Sequence, residues 1–170
     1  TLQPQASLTV IDQSTGEVKA IVGGRGDKTA SKTLNRATDT TRQPGSTFKI
    51  LAAYSAALDA GGLTLASVQD DAPYTYAGAN GKSVNNYDRR YRGFTTLREA
   101  ITDSINIVTV KTLAQAGVSL GWQYVQEYGF TTVDSRDMNE ALALGGITQG
   151  VSNLELTAAY AAIANQGTYI

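Results

Sequence analysis

A chain of 170 residues with no histidine and no cysteine has neither the commonest side-chain base nor any thiolate, so Ser-His-Asp and Cys-His catalysis, disulfides and thiolate metal sites are excluded together. A net charge of −1 with both signs scattered leaves no nucleic-acid footprint, and no apolar run approaches the ~20 residues of a membrane span. Length and an apolar share of 42% suit one domain with a substantial core.

Residues 6–12 alternate as Ala-Ser-Leu-Thr-Val-Ile-Asp and residues 17–23 read Glu-Val-Lys-Ala-Ile-Val-Gly. With Gln13-Ser14-Thr15-Gly16 between them as turn chemistry, they predict an antiparallel hairpin inside residues 1–26. A polar, Thr-rich segment follows, with Asn35-Arg36-Ala37 its most ordered part. Pro44 biases Gln43 away from helical geometry, so a helix is predicted from about Gly45 or Ser46, through the apolar run that reaches Leu58, closed by Gly61-Gly62. Residues 62–93, rich in Gly, Asn, Asp and Tyr, read as irregular and too long for a plain connection; Arg89-Arg90-Tyr91-Arg92 within them reads as a solvated loop.

Helical signals then dominate. One helix starts at Thr95-Thr96-Leu97-Arg98-Glu99. A second carries Ile107, Val110, Leu113 and Ala114 at helical spacing between Asn106 and Ala116, closed by Gly117. A third runs from Leu120 to Tyr128. Ser152-Asn153-Leu154-Glu155 is a capping box that opens a last helix to about Asn165, with Gly167 beyond its end. Thr168-Tyr169-Ile170 reads as the opening of a strand. Strands first and helices over 45–167 afterwards argue an α+β fold; the hairpin wants further strands, and none is predicted between it and residue 167.

Two short polar patterns carry the chemistry. In Arg42-Gln43-Pro44-Gly45-Ser46-Thr47-Phe48-Lys49, Ser46 and Lys49 lie three apart at a helix start, on one face, so the amine is placed to reach the hydroxyl. Without His or Cys, a serine activated by a lysine is one of the few nucleophiles open to this chain. The same residues also read as an N-cap with a solvated first-turn lysine. Ser104-Ile105-Asn106 places a second hydroxyl and an amide at a helix junction, where capping is again the plain reading. Ser83-Val84-Asn85 has the same pattern inside the irregular segment, where nothing holds both side chains rigid. Asp70-Asp71 and the pair Asp134 and Asp137 read as solvated loop carboxylates, and Glu99 as a partner within its own helix. Gly145-Gly146 and Gly150 lack the preceding strand and the following Lys-Ser/Thr of a phosphate loop.

These residues resemble the penicillin-recognising serine D,D-transpeptidases, whose Ser-x-x-Lys nucleophile motif is followed by Ser-x-Asn and Lys-Thr-Gly. Asn35-Arg36-Ala37 with the segment from Arg42 to Lys49 is similar to the nucleophile region of class A, bifunctional penicillin-binding proteins. Asn86-Tyr87-Asp88, then Gly93-Phe94-Thr95-Thr96-Leu97-Arg98-Glu99-Ala100, then Ser104-Ile105-Asn106 is similar to their second-motif region. Leu144-Gly145-Gly146, Gly150 to Leu156 and Ala158-Ala159-Tyr160 are similar to the helix before their remaining strands. No Lys-Thr/Ser-Gly occurs: Lys28-Thr29, Lys32-Thr33, Lys82-Ser83 and Lys111-Thr112 all lack the glycine.

The resemblance implies the β-lactamase-like transpeptidase fold over 1–170 without its C-terminal strands. It implies an acyl-enzyme on Ser46, with Lys49 as base, Ser104 as proton relay and Asn106 on the substrate amide. No cofactor and no metal is expected. The implied partners are peptidoglycan stem peptides ending in D-Ala-D-Ala, β-lactams, and a C-terminal portion carrying the Lys-Thr/Ser-Gly strand, without which the chain is expected to be inactive. A glycosyltransferase domain and a membrane anchor are implied in the parent protein, at the extracytoplasmic face of the bacterial membrane. A serine β-lactamase or a β-lactam-sensing receptor domain is the alternative within that fold, and a non-catalytic scaffold fragment the alternative outside it.

Overall fold

The two alternating segments pair as an antiparallel hairpin, β1 (Leu8–Ile11) with β2 (Val18–Val22), in a computed structural model that describes residues 3–77 and 82–170. Positions 1–2 of the expected hairpin region and 78–81 of the segment read as irregular lie outside the described residues. The register runs Leu8↔Val22, Thr9↔Ile21, Val10↔Ala20 and then shifts to Ile11↔Val18, a bulge at Lys19. Asp12 closes the turn, its carboxylate accepting from the Ser14 N–H at 3.0 Å and its carbonyl from the Gly16 N–H at 2.8 Å. Thr9 is the buried position of β1 and donates to Asn153 Oδ1 at 2.7 Å, which ties the hairpin to the last helix. Leu8, Val10, Val18, Ile21 and Val22 stay exposed.

Among the described residues six further strands follow, against the expectation of none before residue 167. β3 (Thr41–Arg42) pairs with β8 (Val151–Ser152), β4 (Val68–Asp71) with β7 (Gly93–Thr96), and β5 (Tyr74–Thr75) with β6 (Ser83–Val84), all antiparallel. None joins the hairpin among the described residues. Strands of two to four residues in polar segments show no hydrophobic alternation, and in two of the three pairs the partner lies more than 20 residues away, so no local pattern announces them. Nor does the strand read at Thr168-Tyr169-Ile170 form: Thr168 N–H returns to Asn165 O at 3.0 Å, and the chain folds back with Ile170 against Gly16.

The apolar run after Pro44 becomes one continuous helical segment of three geometries. A 3₁₀ turn (Gly45–Thr47) leads into a π-helical stretch (Ile50–Tyr54) and a short α-helix, α1 (Ser55–Asp59). Wide π turns are uncommon and concentrate at functional sites. Because the Ile50–Tyr54 stretch is apolar all round, it runs through the interior. On one side Phe48, Leu51 and Ala52 pack with Ile107, Val110, Leu142 and Ile147; on the other Tyr54 packs with Leu97, Ala100, Ile105 and Val108.

The remaining helices surround it: α2 (Leu97–Thr102), α3 (Asn106–Ala116), α4 (Val118–Glu127) and α5 (Asn153–Ala164). Glu99 closes a capping box on Thr96, accepting from the Thr96 N–H at 2.9 Å, and Ser152 with Glu155 does the same for α5. The Ser152 box is legible as sequence; at Thr96 the sequence indicates only a helix start with Glu99 engaged inside it.

Of the carboxylates expected in solvated loops, Asp70 is exposed and Asp134 partly so, but the other two are not. Asp71 and Asp137 are buried, as is Glu140. Asp137 Oδ1 accepts from the Thr148 N–H and Oγ1 at 2.8 and 2.7 Å, and Glu140 accepts from Tyr74 Oη and the Ala77 N–H, both at 2.9 Å. Buried carboxylates persist only when hydrogen-bonded, and these donors come from distant segments. Arg89-Arg90-Tyr91-Arg92 is exposed, as read, with Arg92 Nη2 3.0 Å from Asp88 Oδ2.

Candidate active site

Ser46 lies inside the 3₁₀ turn and is exposed, so it is not a helix N-cap; that helix start has no side-chain cap at all. The turn is fixed from outside. Gln43 Nε2 donates to Ile147 O at 2.7 Å, and Tyr160 Oη donates to Thr47 O at 2.6 Å. Gly45 takes a positive φ of 58°, open to glycine without strain. The Gly145 backbone packs so close that a Cβ there would stand 2.6 Å from Gly45 N and O. Gly145, from the pair rejected as a phosphate loop, therefore has a packing role against the Ser46 turn.

One helical turn on, Lys49 is 3% exposed. Its ammonium points across to the α2–α3 junction, where Nζ donates to Ser104 O at 2.6 Å, Ser104 Oγ at 2.9 Å and Asn106 Oδ1 at 2.6 Å. Three donors meet three acceptors, the complete inventory of an ammonium. Burial pulls the Lys49 pKa down to about 8, because a charged amine is poorly solvated there. Ser104 itself is held at φ 53°, a left-handed conformation uncommon for a residue with a side chain, and this conformation lies at the site. Asn106 opens α3, and its Nδ2 donates to Asn85 O at 2.8 Å.

Three of the four expected site residues thus meet. The fourth contact is absent: among the described residues Ser46 Oγ has no hydrogen-bond partner, and every hydrogen bond of Lys49 crosses to the α2–α3 junction. A buried ammonium needs acceptors, and a carbonyl, a hydroxyl and an amide oxygen outbid one hydroxyl at the exposed end of the same helix. Chemically, the arrangement offers an uncommitted hydroxyl one helical turn from an amine whose pKa burial lowers to about 8, with a second hydroxyl on that amine. Among the described residues no cluster of carboxylates is placed to hold a metal.

The sequence pattern of the penicillin binding protein transpeptidase domain matches residues 6–170. The chain belongs to that family. It is 42% identical over 168 residues to penicillin-binding protein 1A of Neisseria flavescens, covering 96% of this chain and 20% of that protein. To penicillin-binding protein 1A of Clostridium tetani it is 37% identical over 181 residues, covering 98% and 22%. The chain therefore spans about a fifth of the length of these relatives.

Among solved structures, penicillin-binding protein 1A from Haemophilus influenzae superposes with a TM-score of 0.82 at 32% identity, over 95% of this chain and 23% of that one. PonA1 from Mycobacterium tuberculosis, solved in complex with penicillin V, shares the fold with a TM-score of 0.79 at 22% identity, over 98% of this chain and 44% of that one. The α+β transpeptidase fold and the class A resemblance read from the sequence are borne out by these matches. No helix among the described residues is long and apolar enough to cross a membrane.

Proposed function

We propose that this penicillin-binding transpeptidase segment carries the acylation centre of a peptidoglycan D,D-transpeptidase, with Ser46 as nucleophile. The observation that carries the reading is the buried Lys49 amine, lowered to a pKa of about 8 and bonded to Ser104 Oγ at 2.9 Å, one helical turn from an uncommitted serine hydroxyl. Neutral Lys49 takes the Ser46 proton as Oγ bonds to the carbonyl carbon between the two D-alanines of a stem peptide. The C–N bond then breaks, and the proton passes from Lys49 through Ser104 Oγ to the departing D-alanine amine. The acyl ester on Ser46 is attacked by an amine of a second stem peptide, whose proton returns by the same route; a peptide cross-link forms and Ser46 is regenerated. Water in place of the amine makes the same centre a D-Ala-D-Ala carboxypeptidase.

Asn106 Oδ1 keeps a second lone pair after accepting from Lys49, and that lone pair receives the substrate amide N–H. The Ser46 backbone N–H, at the start of its helix, is one oxyanion donor. The second donor and the contacts to the substrate carboxylate come from a Lys-Thr/Ser-Gly strand outside this sequence. A β-lactam enters the same path, but its amine stays tethered to the opened ring and blocks the acceptor. In the parent protein a glycosyltransferase domain and a membrane anchor place this centre at the extracytoplasmic face of the membrane.

The test supplies the protein, as it is made in the cell, with a stem peptide ending in D-Ala-D-Ala and an amine acceptor. Free D-alanine and a cross-linked product are expected in step, both abolished by penicillin. Rapid turnover of the penicillin itself, with no cross-linked product, contradicts the proposal and favours a β-lactamase.

A further inference from the structure

α3 begins without a cap of its own. Its N-cap residue is Ile105, which has no side-chain acceptor, yet the first amides of the helix are not left bare. Asn86, 20 residues upstream, accepts from the Asn106 N–H at 3.1 Å and the Ile107 N–H at 3.2 Å through its Oδ1. Its Nδ2 is gripped in turn by the Asp71 carboxylate at 2.8 and 3.0 Å and by Arg90 O at 2.8 Å. Asp71 also accepts from the Arg92 N–H at 2.9 Å and ends β4 opposite Gly93 of β7. Asp71 is 0% exposed and Asn86 4%. Next along the chain, Asn85 O holds the Asn106 amide, which leaves Asn106 Oδ1 to Lys49.

The direction of this chain of bonds is forced by chemistry. A carboxylate and a carbonyl only accept, and backbone N–H groups only donate, so the Asn86 amide has one orientation that satisfies all its partners. The junction it supports contains Ser104 at its left-handed φ and supplies all three acceptors of Lys49. Among the described residues, these bonds are how the β4–β7 ribbon anchors the start of α3.

We propose that Asn86, oriented by Asp71, is a positioning residue for acylation: it carries Ser104 and Asn106 to the distance from Lys49 at which a proton can be relayed. This rests on the reading of Ser46, Lys49 and Ser104 as the acylation centre. A displacement of about 1 Å in a reacting group costs on the order of 100-fold in rate. Asn86→Asp keeps an acceptor for the helix amides but turns a second carboxylate onto buried Asp71. The exchange Asp71→Asn with Asn86→Asp restores a donor between the two side chains at unchanged net charge, at the loss of the donor to Arg90 O and of the 3.9 Å ion pair between Arg92 and Asp71.

Acylation by a fluorescent penicillin is to be measured to saturation in the protein as it is made in the cell, with thermal melting of every variant. Asn86→Asp is expected to lower the maximal acylation rate about 100-fold, with the half-saturating concentration changed less than about threefold. The exchanged double variant is expected to regain at least about tenfold. Should Asn86→Asp not fold, Asp71→Asn alone carries the test, with a loss of about tenfold in the same rate. Unchanged rates in folded single variants, a loss confined to half-saturation, or no recovery in a folded double variant would overturn the proposal. Wild-type protein that takes up no penicillin at all would instead overturn the underlying reading, and this one with it.

Discussion

Lys49 Nζ stands 2.6 Å from the main-chain carbonyl of Ser104, a residue 55 positions later. A main-chain acceptor cannot be removed by substitution at Ser104, so the lysine is tied to the shape of the α2–α3 junction as well as to its side chains. Burial works the other way and lowers the pKa to about 8, so the amine is held firmly yet loses its proton easily.

Lys49→Arg tests whether that proton matters. The guanidinium keeps the charge and several donors but stays protonated at any useful pH. Acylation by penicillin is expected to fall as far as in Lys49→Ala, on the order of 1,000-fold or more, as for loss of an activating base. An Arg variant acylated within about tenfold of wild type would make Lys49 a fixed charge and move the base elsewhere.

The pH profile follows from the same group. With Lys49 as the proposed base, the neutral amine is the competent form and the folded pKa is about 8, so the acylation rate is expected to rise with pH and level off above about 8. Below that it falls about tenfold per unit. A lysine at its ordinary value would keep the rate climbing to beyond pH 10. Stopped-flow acylation from pH 6 to 10 decides between the two profiles.

Gly145→Ala is expected to damage the site from outside it. The new Cβ stands 2.6 Å from Gly45 N and O at a φ of 72°, so the Ser46 turn must move. Destabilisation of about 2–3 kcal/mol and a loss of at least about tenfold in acylation are expected. Gly26→Ala is the control: it has φ 84° and no atom within 4 Å of the added methyl, so it costs about 1 kcal/mol and leaves acylation unchanged. Equal effects of the two substitutions would remove the packing role assigned to Gly145.

Glu99 is engaged with Thr96 N and Oγ1 at 2.9 and 2.8 Å, in the capping box of α2. Glu99→Gln keeps a side chain able to close that box, so a stability cost below about 1 kcal/mol is expected. The lifetime of the penicilloyl-enzyme should stay within about twofold. An acyl-enzyme whose lifetime lengthens about 100-fold or more in this variant would make Glu99 a deacylating base and the protein a β-lactamase.

What was legible in the sequence is what local signals announce. α3 was read from Asn106 to Ala116 because Ile107, Val110 and Leu113 keep helical spacing and Gly117 ends it; α5 was read from the capping box at Ser152. The β4–β7 ribbon was not, because Val-Gln-Asp-Asp shows no alternation and its partner strand starts more than 20 residues later. Asp71 looked solvated for the same reason: what buries it is Asn86, 15 positions on. Within the site, the motif residues Lys49, Ser104 and Asn106 do converge. The hydrogen bonds of the lysine do not follow from the helix alone, since all three of its side-chain acceptors belong to the junction at Ser104.

The central claim is that Ser46 is the residue acylated, and mass spectrometry of digested protein after penicillin treatment tests it most directly. The peptide containing Ser46 should gain the full mass of the β-lactam, because ring opening adds the hydroxyl across the amide and releases nothing. Ser46→Ala, in a variant that melts as wild type does, should give no adduct on any peptide. An adduct mapped to Ser104, or one that persists in Ser46→Ala, would contradict the assignment.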